Sequence, residues 1–168
     1  FVPRGSLEAV WKALMQVGGA QGLKPLGFQA QELLRVEAGV PRYGQDMVDT
    51  TIPLEANLTH AISYNKGCYI GQEVISRIES VGRANRSMMG FISTSGVPLT
   101  VGARILKSDA PGQDFGRLTT VAYSFALEAP IALGYLKRGA PVEGLMAASA
   151  EAPDAPVPIA LHSLPFVS

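Results

Sequence analysis

The segment Lys66-Gly67-Cys68-Tyr69-Ile70-Gly71-Gln72-Glu73 gathers more chemically able side chains than any other stretch of the chain, and Cys68 is the only cysteine. A thiolate, not a thiol, is the nucleophile, and a nearby cation or a helix N-terminus favours the charged form. Lys66 stands just before Cys68, and the pattern after Gly71 predicts a helix over about Gln72 to Ile78, so both sources of positive potential flank the sulfur. The same residue also reads as a small buried hydrophobe, a common state of a free cysteine. Gly67 and Gly71 bracket it, allowing left-handed backbone and close approach of a ligand, and Gly71 suits a helix cap. Tyr69 offers a ring to stack on a flat heterocycle, or an ordinary core ring with a polar tip. Glu73 and Arg77, four apart in the favoured order, read as an ion pair.

Two further groups merit weighing. If Arg35-Val36-Glu37-Ala38-Gly39 is extended, Arg35 and Glu37 point to the same side, because strand side chains alternate. Arg77, Arg83 and Arg86, with Lys66 nearby in sequence, form a small basic cluster that fits either an RNA contact or a solvated face.

These groups need elements to hold them. Apolar residues at Leu7, Val10, Trp11, Leu14 and Met15 follow the helical period after Ser6, a good N-cap, with Glu8 in the first turn and Gly18-Gly19 as a stop. A second helix is predicted over about Gly27 to Leu34, then the extended Arg35–Gly39 piece, then a loop through Pro41 and Gly44-Gln45-Asp46. Residues 53–64 read as a short helix or turn followed by Ile62-Ser63-Tyr64. After Arg86 the texture changes to short apolar runs between Gly, Pro and Asp: candidate strands Ser87–Ser93, Ala103–Lys107, Gly116–Ala122, Ile131–Lys137 and Val157–His162. Such spacing predicts a small antiparallel barrel or sandwich. The Ala- and Pro-rich tract Ala147–Pro156 reads as a hairpin loop or linker. The expected class is α+β, with residues 1–85 as a mixed helix-and-strand part and 86–168 as the β-barrel.

Composition narrows the function. Of the 168 residues 47% are hydrophobic and 17% charged, enough apolar material for a real core. Lys plus Arg equals Asp plus Glu, unlike a generic nucleic-acid binder with a basic excess. One cysteine excludes an intrachain disulfide and a multi-cysteine zinc site, and points weakly to a reducing compartment. No run of about 18 apolar residues is present, and the charges scattered through residues 1–15 do not fit a signal peptide. The stretch Phe1 to Ser6 differs by one residue from a common protease-cleavage linker and is given no functional reading.

Lys-Gly-Cys-Tyr-Ile-Gly-Gln-Glu at 66–73 resembles the signature of the YgfZ branch of the glycine-cleavage T-protein family. Leu34-Arg35-Val36-Glu37-Ala38-Gly39, Gly44-Gln45-Asp46 and Pro53-Leu54-Glu55 resemble elements shared with the T-proteins, and Ile131-Ala132-Leu133-Gly134-Tyr135 looks like the closing barrel segment. The resemblance implies a ring of three domains around a folate pocket, this chain matching the end of the central, GcvT-like folate-binding domain and the terminal barrel. It implies tetrahydrofolate or a derivative as cofactor. Glu37 would take the pterin contact, since a carboxylate accepts two parallel N–H bonds. Arg35 would orient Glu37 or simply pair with a surface acid, and Tyr69 would lie on the cofactor side. In the YgfZ branch the motif cysteine, here Cys68, is the suspected working residue. Lys66, Gly67, Gly71, Gln72, Glu73 and Arg77 carry over as supporting positions.

That branch supports iron–sulfur cluster assembly or repair and transfer-RNA modification. It implies iron–sulfur client proteins and tRNA-modifying enzymes as partners, an accessory role rather than a catalysed reaction, no metal of its own, no membrane, and a cytoplasmic setting, or a mitochondrial one in a eukaryote. The alternatives are an aminomethyltransferase of glycine cleavage and a folate-binding domain without chemistry. Family members are usually much longer, with an amino-terminal half that builds much of the pocket. Without that half the chain is expected to bind folate weakly or not at all, and to self-associate through uncovered apolar surface.

Overall fold

The computed structural model describes residues 1–81, 84–110 and 112–167. Arg83 of the basic cluster lies outside the described residues. By contacts the chain divides into residues 1–32 and 33–168.

The first unit is built on helix α1, Leu7–Gly19, entered through a turn of 3-10 helix at Arg4–Ser6. Ser6 occupies the N-cap position but its side chain makes no capping bond. The apolar stripe forms as the spacing predicts, yet the helix buries no residue, and Leu7, Trp11, Leu14 and Val17 stay exposed. No described helix is long and apolar enough to cross a membrane.

Helix α2 runs Phe28–Glu37, which overturns the extended reading of Arg35–Gly39. Its end is a Schellman turn. Gly39, at φ +69°, donates to Val36 O and Val40 N–H donates to Arg35 O, both at 2.9 Å. This closing turn keeps the last residues helical, because it satisfies carbonyls that would otherwise be orphaned. Arg35 and Glu37 are therefore about 200° apart around the helix axis, not on one side. Val36 between them is fully buried.

The remaining segment up to the barrel is turns, one 3-10 turn at Thr59–Ala61, and helix α3 at Gln72–Val81. Among the described residues before 86, the strand-type pairing is an isolated bridge between Tyr43 and Met47.

Six antiparallel strands then form a closed barrel: β1 Arg86–Ser93, β2 Arg104–Lys107, β3 Gly116–Ser124, β4 Ala129–Lys137, β5 Leu145–Ala148 and β6 Val157–His162, in the order β1-β4-β3-β2-β5-β6, with β6 returning to β1. Five strands match the predicted runs. The sixth, β5, covers the start of the tract read as a linker. Leu145, Ala147 and Ala148 are buried there and pair with β2 and β6. Small side chains hid the strand, because alanine carries little β preference.

The barrel interior packs Phe91, Ile105, Leu118, Ala132, Leu136, Leu145 and Ile159. A second cluster lies on the outside of the same wall, where Val36 and Phe166 cover Ile131 and Leu133. Strand β4 is thus buried on both faces, which is why Ile131-Ala132-Leu133-Gly134-Tyr135 lacks alternation.

Candidate functional site

The buried carboxylate of Asp46 organises the outer wall of the barrel. Its side chain has no exposed surface and meets four donors. Arg35 Nη1 donates to Oδ2 in an ion pair, and the Arg42 backbone N–H donates to the same oxygen at 3.0 Å. The Thr119 and Thr120 hydroxyls donate to Oδ1 at 2.5 and 2.6 Å. Adjacent strand residues normally face opposite ways. Here a register shift between Leu118 and Thr120 lets both hydroxyls reach one oxygen. Arg35 Nη2 donates to Thr120 Oγ1 at 3.0 Å, which closes the network.

On the other side of Val36, the buried Glu37 accepts the Ser124 hydroxyl proton at 2.5 Å, and Ser124 in turn accepts from Leu127 N–H at 3.1 Å. Thr120 and Ser124 lie four apart on β3, so α2 straddles one face of that strand with Val36 in the middle. Arg35 therefore does not orient Glu37, and the acid it pairs with, Asp46, is buried and not a surface acid as expected.

Glu55 makes the next tie. Its carbonyl accepts Met88 N–H at 2.7 Å, and its carboxylate accepts Arg86 Nε–H at 2.9 Å. The Arg86 guanidinium lies over the Tyr135 ring, 4.6 Å from its centre. Tyr135 is buried and its hydroxyl has no hydrogen-bond partner among the described residues. Burial pushes this phenol up to about 12; Arg86 opposes the rise and Asp46 and Glu55 add to it. A cleft of about 420 Å³ opens beside these groups, walled by Asp46, Met47, Thr51, Arg86, Arg117 and Tyr135 among others.

The Lys66–Glu73 loop is built differently. Cys68 is exposed, not a core hydrophobe. The Lys66 ammonium lies 4.8 Å from the centre of the half-buried Tyr69 ring, so it is held by the aromatic face. Gly71, at φ +89°, turns the chain into α3, and Gln72 N–H donates to Tyr69 O at 3.2 Å. Gly67 has open space around it. Glu73 and Arg77 are exposed and form no ion pair with each other, against expectation, as screened surface pairs gain little from meeting. The cleft beside Tyr135 is walled by neither Cys68 nor Glu37. Of the residues in the basic cluster that are described, Arg86 is engaged with Glu55 and Tyr135, Lys66 lies over Tyr69, and Arg77 is exposed. No group of metal-ligating side chains occurs among the described residues.

Asp46, Glu55, Thr120 and Ser124 were absent from the sequence-predicted site. The usable signal was the pair of acids in Gly44-Gln45-Asp46 and Pro53-Leu54-Glu55, each in a Gly- or Pro-marked turn before a β-region whose apolar runs carry threonine and serine.

A closed six-stranded barrel, clamped on its outer wall by the helix and turns that precede it, defines a two-part domain-end architecture. The profile described as GCVT N-terminal domain matches residues 1–66, and that described as Glycine cleavage T-protein C-terminal barrel domain matches residues 86–168. The chain belongs to the glycine-cleavage T-protein superfamily. Residues 67–85, which hold most of the cysteine loop, fall between the two matches. Similar relatives include aminomethyltransferases of Symbiobacterium thermophilum, 34% identical over 81% of this chain and 36% of the relative, and of Chlorobium phaeovibrioides, 32% identical over 84% and 39%. The solved structure of glycine cleavage system aminomethyltransferase T from Bartonella henselae superposes with a TM-score of 0.82 at 26% identity, over 99% of this chain and 45% of that one. The chain thus spans less than half the length of these relatives.

Proposed function

We propose that the protein carrying this chain is a tetrahydrofolate-binding member of the aminomethyltransferase group, to which this chain contributes the end of the folate-side domain and the terminal barrel. The observation behind this reading is that parts of both superfamily domains occur in order, with the Asp46 network tying the end of the first to the wall of the second. In this reading Glu37 meets the pterin edge through Oε2 while Ser124 holds Oε1, and Arg35 acts only by fixing the turn that carries Asp46. The names of the relatives favour aminomethyl transfer over the iron–sulfur role that the cysteine loop suggests. Two measurements on the full-length protein test the proposal: titration with tetrahydrofolate followed by intrinsic fluorescence, and formation of methylene-tetrahydrofolate from an aminomethylated lipoyl carrier. Saturable binding with turnover is the expected result; absence of saturable binding would sink the reading.

A second reading has its own support. Cys68 is exposed in a loop that lies mostly outside both superfamily matches. It fits a thiol offered to a partner, as in iron–sulfur cluster upkeep of tRNA-modifying enzymes. Binding of tetrahydrofolate without transfer, together with loss of cluster-dependent enzyme activity in a deletion strain carrying Cys68→Ala, would favour it. Full restoration by Cys68→Ala would remove it.

A further inference from the structure

The cleft at the Arg86 end of the barrel is not used by the reading above, and its wall has an ordered chemistry. In β1, Arg86 is paired in register with Lys137 of β4, and Met88 with Tyr135; in β3, Arg117 is paired with Tyr135. Paired residues share a face, so Arg86, Lys137, Arg117 and Tyr135 all project from the outside of the barrel in two adjoining rows. All four line the same cleft, with Thr50, Thr51 and Thr119 on its walls.

Three cations converge there, and the acids on hand do not answer all of them. Asp46 lines the cleft but is taken up by Arg35. Glu55 answers Arg86 at 2.9 Å. Lys137 Nζ donates to the Asp114 carbonyl at 2.8 Å, but the Asp114 carboxylate stays 4.0 Å away and its Oδ1 already accepts Gly116 N–H at 2.9 Å, so the Lys137 charge is only partly offset. Arg117 is exposed and has no ion-pair partner among the described residues. The cleft therefore keeps an excess of positive charge. The second and independent observation is the Tyr135 hydroxyl, a buried donor in the same wall without an acceptor. A buried polar group without a partner is costly, so such exceptions call for a bound group.

We infer that this cleft binds a small anionic molecule through a terminal phosphate or carboxylate, held by Arg117 and Lys137, with Arg86 beside it and the Tyr135 hydroxyl supplying the donor for one of its oxygens. Guanidinium and hydroxyl donors on one wall suit an oxyanion with several lone pairs. The volume of about 420 Å³ exceeds what a bare ion needs and lies within the range of small-molecule sites, so the anion is the anchoring end of a larger ligand. The site shares no proposed pterin contact with Glu37 and no residue with the cysteine loop. It stands even if both functional readings fall.

Calorimetric titration of the full chain with inorganic phosphate, and separately with acetate, tests the inference. The expected result is saturable binding of at least one probe, weakened about tenfold by Arg117→Gln and again by Lys137→Gln, since each removes one charge-assisted contact. Both side chains are exposed, so these variants should keep the fold. Tyr135→Phe should weaken binding while leaving the chain as stable or more stable. Tighter phosphate identifies a phosphate-bearing ligand, and tighter acetate a carboxylate-bearing one. Either outcome upholds the site. Failure of both probes to saturate, or equal affinity in the Arg117→Gln, Lys137→Gln double variant, would overturn it.

Discussion

The barrel flank and the Lys66–Glu73 loop carry comparable densities of charged and polar side chains, yet the fold treats them in opposite ways. On the flank the buried acids are all partnered: Asp46 has four donors, Glu37 has Ser124, and Glu55 has both Arg86 and the Met88 amide. In the loop Cys68, Ile70 and Glu73 are exposed, and the Lys66–Tyr69 contact is the ring interaction that orders it. Burial raises the stakes of each polar contact because the effective dielectric falls and unmatched groups cannot turn to water. Flank residues should therefore matter to stability, and loop residues to whatever the protein meets.

The sharpest break of that comparison is Asp46→Ala. It takes the Asp46 carboxylate from the part-buried Arg35 and removes the acceptor of the Thr120 hydroxyl, while Thr119 keeps the Leu133 carbonyl at 3.2 Å. The expected loss is about 3–5 kcal/mol in urea unfolding of the full chain. Asp46→Asn keeps the shape and one acceptor and should lose less. A loss below about 1 kcal/mol for Asp46→Ala would mean the network is ornamental.

Next in size is an alkaline effect at Tyr135. Its folded pKa, near 12, lies above the ordinary value of about 10 for an unfolded tyrosine. The unfolded chain thus releases its proton first. Stability is intact below pH 10 and falls as pH rises toward 12, by on the order of 2 kcal/mol. Tyr135→Phe should flatten that decline, and in the native protein the Tyr135 phenolate should absorb only near pH 12. At neutral pH the variant should be neutral or up to about 1 kcal/mol more stable, because a partnerless buried hydroxyl is removed.

Glu37→Gln sharpens the flank further at smaller scale. Ser124 can still donate to the amide oxygen, but a charge-assisted bond becomes a neutral one, for an expected loss of about 1 kcal/mol. If Glu37 also meets a pterin, the same variant of the full-length protein should lose tetrahydrofolate affinity more than tenfold, an effect that its stability change would not account for.

Much of the flank was legible as elements, and much less as contacts. Five strands announced themselves through apolar runs between Gly, Pro and Asp, and α1 through its stripe. β5 did not, because Leu145-Met146-Ala147-Ala148 is short and alanine-rich and is a strand only because β2 and β6 need it to close. The end of α2 misled for a related reason: Arg35-Val36-Glu37 has valine between charges, which mimics alternation, and only the Gly39 turn and the buried Val36 decide for helix. The Asp46 network joins residues 4 to 85 positions apart, and spacing along a chain cannot report a bulge at Thr119 that aims two hydroxyls at one oxygen. The cysteine loop was legible in the opposite sense. Its residue types were plain, and what the structure adds is that the sulfur faces outward and that Lys66 sits over Tyr69.

The smallest expected effect on stability is also the one that most strains the comparison. Cys68→Ala removes an exposed sulfur with no hydrogen-bond or ring partner among the described contacts, so unfolding should shift by no more than about 0.5 kcal/mol. The native thiol should react with a thiol reagent at once and completely, without denaturant, because no packed layer has to open first. A slow reaction that speeds up only in urea would show the loop folded inward in solution, and a loss above about 1 kcal/mol for Cys68→Ala would say the same through stability. In either case the contrast between a committed flank and an offered loop would fail at its loop end, and the iron–sulfur reading would lose the exposed thiol on which it rests.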